Sequence, residues 1–296
     1  MSGSRRRVIS DNETSLVQFD DAAQAAAAQV IRRYSTSFGV GARMLPRPMR
    51  RHIESVYAMV RIADEVVDTY RGNDAGRVLD AFETTVTEAM TGRFSTDVVA
   101  HAFGVTARAV GITTNMTEPF FASMRADLTL TLHDDESFAR YVYGSAEVVG
   151  EMCLAVFLNT DSGPAPLPSD ASAGARRLGA AYQKVNFLRD LATDAGELGR
   201  SYFPGVTTDT LTNAQVEELV ADCRTDIAAA RESLPVLPRR AAVAVSTTID
   251  IYTRLLDTIA DTDATDLVSR RVRVPNTTKM VFAVRNTWES RRAGES

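Results

Sequence analysis

Leu178 to Pro204 read LGAAYQKVNFLRDLATDAGELGRSYFP, and the period of this stretch decides the fold. Gln183, Asn186, Asp190 and Asp194 follow one another at intervals of three, four and four residues. At about 100° per residue they share an arc of roughly 80° on one helix face. A polar stripe on a helix is ordinarily a solvated surface. Here the neighbours Val185, Phe187, Leu188 and Leu191 are apolar, so a line of oxygen donors runs down a helix that is otherwise built to be buried. YAMVRIADEVVDTY (Tyr57 to Tyr70) repeats the pattern, with Tyr57, Arg61, Asp64 and Asp68 within an arc of roughly 60°. A lone Asp pair four residues apart is commonly solvated and mildly repulsive. Two such stripes in one chain make that reading harder to hold.

Outward from these stretches the period remains helical. Apolar residues recur every three or four positions over Asp20 to Tyr34, Met49 to Thr69, Ala75 to Met90, Asp97 to Gly111 and Thr117 to Leu132. The same spacing continues over Ser137 to Leu158, Ala171 to Asp194, Asn213 to Ser233, Arg239 to Ala260 and Thr277 to Arg291. Ser137 and Thr212 read as helix caps, and DSGPAPLPSD (Asp161 to Asp170) and GRSYFPG (Gly199 to Gly205) as loops. No alternating strand pattern bounded by hairpin turns occurs, and Val272 to Pro275 is too short to form one. The expectation is one all-α domain over residues 20–296, preceded by a flexible tail over 1–19.

The chain has 296 residues, 45% of them hydrophobic and 24% charged, with a formal charge of −5. That length buries a substantial core, and the composition excludes wholesale disorder. The charge gives no global attraction to nucleic acid. Cys153 and Cys223 are too few for a disulfide framework, which points to a reducing compartment and a cytoplasmic location. The N-terminus lacks the apolar core of a secretory signal, and no uncharged apolar run approaches about 18 residues. His52, His101 and His133 lack metal-ligand spacing, and GxSxG and the glycine-rich nucleotide motifs are missing.

Carboxylate and amide oxygens without His or Cys suit a hard cation such as Mg²⁺ or Mn²⁺, which commonly bridges carboxylates to substrate phosphates. Arg61 and Arg189 would supply donors to phosphate oxygens. A helical chamber with apolar walls and a metal-diphosphate mouth suits a prenyl diphosphate.

The same segments resemble the squalene and phytoene synthases, the head-to-head prenyl transferases. Their two Asp-rich motifs correspond to DEVVD (Asp64 to Asp68) and DLATD (Asp190 to Asp194). YVYGSAEVVGEM (Tyr141 to Met152) and SMRADL (Ser123 to Leu128) also match, and the likeness extends from YSTSF (Tyr34 to Phe38) to RRVRVPNTTK (Arg270 to Lys279). Within the family the chain is most similar to bacterial phytoene synthases of the actinobacterial kind. Two residues depart from the pattern: Glu147, where Gly is usual, and Lys184, where a neutral residue is common. Glu147 falls in a helix expected to line the chamber, where it would either alter substrate shape or pair with a basic residue, which puts chain-length preference in question.

The resemblance implies the isoprenoid-synthase helical fold around a central apolar chamber. It implies Mg²⁺ binding by Asp64, Asp68, Asn186, Asp190 and Asp194. Arg61, Arg189, Arg271 and Lys279 would hold diphosphate oxygens. Ser35, Ser37 and Phe38 would close over the site as a flap, and Tyr57, Tyr143, Gln183, Tyr202 and Tyr252 would line the chamber. The implied reaction condenses two geranylgeranyl diphosphates through a cyclopropyl diphosphate to phytoene in carotenoid biosynthesis, with no nicotinamide cofactor. Two alternatives stand beside it: a synthase of squalene or dehydrosqualene type using farnesyl diphosphate, and a non-catalytic helical assembly factor. A forty-carbon hydrocarbon product calls for peripheral contact with the inner face of the cell membrane, with Arg5 to Arg7 and the basic C-terminal third as candidates for its basic part.

Overall fold

The computed structural model describes residues 2–70, 72–194, 196 and 199–293, with side chains from Glu13 to Arg292 within those ranges. Helices α1 (Ser2–Tyr34), α2 (Phe38–Met44), α3 (Arg47–Asp68), α4 (Ala75–Thr91), α5 (Val98–Val110) and α6 (Thr114–Ala126) form the first half. After them come α7 (Asp135–Val142), a π turn (Tyr143–Glu147) and α8 (Val148–Asn159). The second half comprises α9 (Ser169–Thr193), α10 (Asn213–Glu232), α11 (Arg239–Ala260), α12 (Ala264–Leu267) and α13 (Asn276–Ala293). Among the described residues the sole β pairing is an isolated bridge between Leu132 and Ser201.

Local signals set the ends. Asp97 caps α5 by accepting from the Val99 and Ala100 amides, and Gly111 closes that helix at φ 82°. Thr212 and Gln215 make a reciprocal capping box on α10. On α7 the cap is Asp134, and Ser137 is its capping-box partner three residues on rather than the cap itself. Helix α1 begins at Ser2, not near Asp20, so the segment expected as a flexible tail is helical. Its later part is anchored by the Glu13–Arg93 ion pair and by Phe19, whose ring lies 4.9 Å from that of Phe94. The side chains of Arg5 to Arg7 lie outside the described residues.

Two large apolar clusters fill most of the interior, beside a small one of Ala23, Ala27, Ala58 and Ala102. One gathers Ile53, Met59, Leu79, Phe103, Phe120, Phe121 and Met152 between α3, α4, α5, α6 and α8. The other gathers Val185, Leu188, Ile249, Leu256 and Ile259 between α9 and α11. Where α9 crosses the π turn and α8, backbone meets backbone: a Cβ on Gly150 would lie 2.3 Å from the Ala175 carbonyl oxygen, and one on Gly179 would lie 2.3 Å from that of Ala146. Only glycine tolerates that approach. Asp135–Asn159 is the single described helical span long and apolar enough to cross a membrane, and most of it is buried inside the protein.

Candidate active site

Both Asp-bearing stripes open onto one cavity of about 510 Å³. Asp64 and Asp68 come from the last turns of α3, and Asp190 and Asp194 from the end of α9, so the carboxylates gather at one end of the wall. Along α9 the wall runs back from Asp194 to Ala171, roughly 35 Å at 1.5 Å per residue. Away from the carboxylates it is mainly apolar, with Val149, Cys153, Leu154, Phe157, Leu178 and Leu237.

Arginines crowd the acidic end. Arg61 pairs with Glu65 and lies 3.9 Å from Asp64, while its Nε is buried without a partner. Arg189 directs Nε at both Asp190 carboxylate oxygens, 3.0 and 3.1 Å away, and Arg271 brings its own Nε within 2.7 Å of the same carboxylate. Asp64 is less well compensated: burial, then the charge of Asp68, raises its pKa to about 8. Burial and the neighbouring Asp190 raise Asp194 to about 7. Such crowding is what an added cation relieves.

The donor set is oxygen only, which fits Mg²⁺. Among the described residues no three carboxylate, imidazole or thiolate groups converge to hold an ion alone. Remaining ligands would have to come from water and an anionic substrate, which is the usual habit of Mg²⁺. The unpartnered Arg61 Nε likewise suits an anion.

Most residues singled out in the sequence meet here. Ser35, Ser37, Phe38, Tyr57, Gln183, Asn186, Tyr202, Tyr252 and Arg271 all line the cavity. The Phe38 and Tyr57 rings stack at 6.0 Å, and the Tyr252 hydroxyl donates to Asn186 Oδ1 at 3.3 Å. Lys279 is not in the wall; it is buried behind it, where Nζ donates to Thr36 Oγ1 at 2.8 Å.

Tyr143 is a correction. It is absent from the cavity wall and packs under the Arg176 guanidinium at 5.5 Å. The wall takes Tyr141, Ser145, Ala146 and Val149 instead, and Tyr143 lies two residues, about 200° round the helix, from Tyr141. Glu147 does not shape the chamber, because it too lies outside it, although its helix lines the wall; the alternative, a basic neighbour, fits its place beside Arg176 and Arg177. With Lys184 it lines a separate cavity, where Lys184 is held by Asp222 and Asp226. Both departures from the family pattern therefore sit behind α9.

Three residues of the site had not been singled out: Asp127, Tyr141 and Arg200. Tyr141 donates to Asp127 Oδ2 at 2.6 Å, and Arg200 Nη1 reaches Asp68 Oδ1 at 2.7 Å and Asp127 Oδ1 at 3.8 Å. Burial lifts Asp127 to about 6 despite Arg200. The only sequence signals were their places in SMRADL, YVYGSAEVVGEM and GRSYFP. The three histidines are accounted for elsewhere: His52 faces Thr106, His101 faces Asp20, and His133 packs between the rings of Tyr141 and Tyr202.

Comparison with known proteins agrees with this architecture. The squalene/phytoene synthase family profile matches residues 31–278. The 4,4'-diapophytoene synthase of Staphylococcus haemolyticus is 27% identical over 67% of this chain and 68% of its own length. The 15-cis-phytoene synthase of a Synechocystis species is 27% identical over 86% of this chain and 81% of its own. A crystal structure of a dehydrosqualene synthase with a ligand superposes with a TM-score of 0.78 at 21% identity, covering 94% of this chain and 99% of that one, so the fold is shared.

Proposed function

We propose that this chain, which belongs to the squalene/phytoene synthase family, condenses two geranylgeranyl diphosphates head to head into phytoene. The observation that carries the reading is one long cavity with five aspartates and three arginines at one end and mainly apolar walls along the rest. One end suits diphosphate and the other a polyprenyl chain.

Arg61, Arg189 and Arg271 would bind and orient the diphosphate oxygens, and Asp64, Asp68, Asn186, Asp190 and Asp194 would hold Mg²⁺. When bound, Mg²⁺ would neutralise the diphosphate and make it a better leaving group. The allylic C–O bond of the first substrate breaks and its diphosphate leaves with the electron pair. The double bond of the second substrate attacks the resulting allylic cation, and loss of a proton closes a cyclopropane that keeps the second diphosphate. Loss of that diphosphate, rearrangement and a second proton loss give the hydrocarbon without a reductant. Tyr57, Phe38 and Tyr252 present aromatic groups to the cavity, where ring faces stabilise cations. The apolar walls keep water from quenching them.

The hydrocarbon product has no polar group, so we place the working enzyme against a lipid surface. A second reading, use of farnesyl diphosphate, is favoured by the diapophytoene synthase relative. Product analysis with each diphosphate and Mg²⁺ tests both. Phytoene from the twenty-carbon substrate is expected. Turnover of farnesyl diphosphate alone would overturn the substrate assignment, and no hydrocarbon from either would overturn the activity.

A further inference from the structure

On α13 the most exposed side chains are apolar and the most buried ones polar. Lys279 is buried against Thr36 and Asn286 against Thr247 and Asp250, with Phe282 and Ala283 half-buried beside them. Facing outward are apolar side chains, with Met280 56%, Val281 63%, Val284 66% and Trp288 52% exposed. A helix resting on a globular body normally does the reverse. These four residues share an arc of about 100°, which makes one stripe rather than scattered exposed side chains.

The stripe has basic company. Arg291 and Arg292 are exposed on its helix, while Lys279 is buried on the body side and Arg285 pairs with Asp250 and Glu289, in a chain whose formal charge is −5. The Arg292 guanidinium lies over the Trp288 ring at 3.7 Å. An exposed indole beside a guanidinium suits the boundary of a bilayer, where the ring sits among headgroups and the cation meets phosphate.

We propose that the outward face of α13 docks on the surface of an anionic lipid bilayer, a reading that rests on the lipid contact placed above. Charge selects this occupant: a second copy would set the same cations face to face across a two-fold contact, whereas anionic lipid supplies the opposite sign. Location supports it as well. Lys279 ties α13 to Thr36, and Thr36 and Arg271 both line the cavity. Docking through this helix holds the chamber beside the lipid that must receive its product.

Trp288 is the only tryptophan in the chain, so its fluorescence reads this surface directly. Vesicles of phosphatidylcholine with phosphatidylglycerol are added to the full chain without substrate, and co-sedimentation is measured in parallel. The expected result is a blue shift, quenching by brominated lipid, and weakening in high salt. The triple variant Val281→Ser, Val284→Ser, Trp288→Ser should partition at least about tenfold less, having given up its apolar contact, with its thermal midpoint and its turnover in detergent unchanged. Co-sedimentation with an unshifted Trp288, or undiminished partitioning of the triple variant, would overturn the assignment to α13 while leaving lipid contact standing. Absence of co-sedimentation at low salt would overturn both. A blue shift that grows with protein concentration without lipid, together with dimer formation, would assign the face to a second copy and overturn the proposal. None of these readings depends on which prenyl diphosphate is turned over.

Discussion

Arg200 Nη1 lies 2.7 Å from Oδ1 of Asp68, joining the loop after α9 to the last residue of α3 across 132 positions of sequence. The same guanidinium donates to the Val67 carbonyl at 3.0 Å and faces the buried Asp127 at 3.8 Å. One cation thus ties a carboxylate of the first Asp motif to a carboxylate behind it. Arg200→Met should cost about 3–5 kcal/mol at pH 8, because it strands a buried charge. Adding Asp127→Asn should recover most of that loss. Urea unfolding of the two variants checks this, and a cost below about 1 kcal/mol for the single change would show that the pair does not hold the loop.

Asp190→Asn should lower kcat/KM by at least about a hundredfold, equivalent to roughly 2.7 kcal/mol of transition-state stabilisation. Folding stability should fall only slightly, since Asp190 already has Arg189 and Arg271 beside it and is not the strained member of the cluster. Steady-state kinetics at saturating Mg²⁺, with a melting curve as control, decide the matter. Unchanged Mg²⁺-dependent turnover would remove Asp190 from the site.

Asp64 and Asp194 should make the metal-free protein less stable as pH rises. Their folded pKa values, about 8 and about 7, exceed the unfolded value near 4, so the folded chain holds extra protons between those limits. Stability should decline from about pH 4 to about pH 8 and then level off. Mg²⁺ binding should release protons over the same range and tighten with rising pH. Melting in chelator from pH 5 to 9, with and without Asp64→Asn, tests the first part, and calorimetry in two buffers tests the second. Asp64→Asn should gain roughly 1–2 kcal/mol at pH 8 after allowance for partial exposure.

Arg189→Lys keeps the charge and loses the planar fork that spans both oxygens of Asp190. A drop of about tenfold or more in kcat/KM is expected, about 1.4 kcal/mol. Wild-type kinetics would leave Arg189 a structural partner of Asp190.

Glu147→Ala should leave product chain length untouched, because Glu147 faces the cavity behind α9 and not the chamber. Phe157→Ala, which enlarges the chamber wall, should relax it. Product chromatography from mixed substrates checks both, and altered chain length in the Glu147 variant would mean the two cavities communicate.

The two Asp stripes were legible because helical periodicity is local: four residues at three- and four-residue intervals share a face whatever the rest of the chain does. The partners of those stripes were not legible. Arg200 meets Asp68, and Tyr202 meets Asp127 at 3.3 Å over 75 positions, through a loop whose path no period encodes. Tyr143 was misplaced because its role came from the resemblance alone, whereas the wall takes Tyr141, two residues and about 200° round the helix away, just before the Tyr143–Glu147 π turn. Helix α2 was missed because Phe38–Met44 spans only seven residues, too few for a period to declare itself. The start of α1 was set too late because the residues before Asp20 carry few apolar positions.

Gly150 and Gly179 lock two walls of the chamber at backbone contact. A single carbon added at either position must push whole helices apart, so the frame has no small steps available to it. The side chains on that frame do: Val149, Cys153, Phe157 and Leu178 can each be trimmed or enlarged singly. A lineage built on this scaffold would therefore change the length it measures by redrawing marks on a ruler of fixed width.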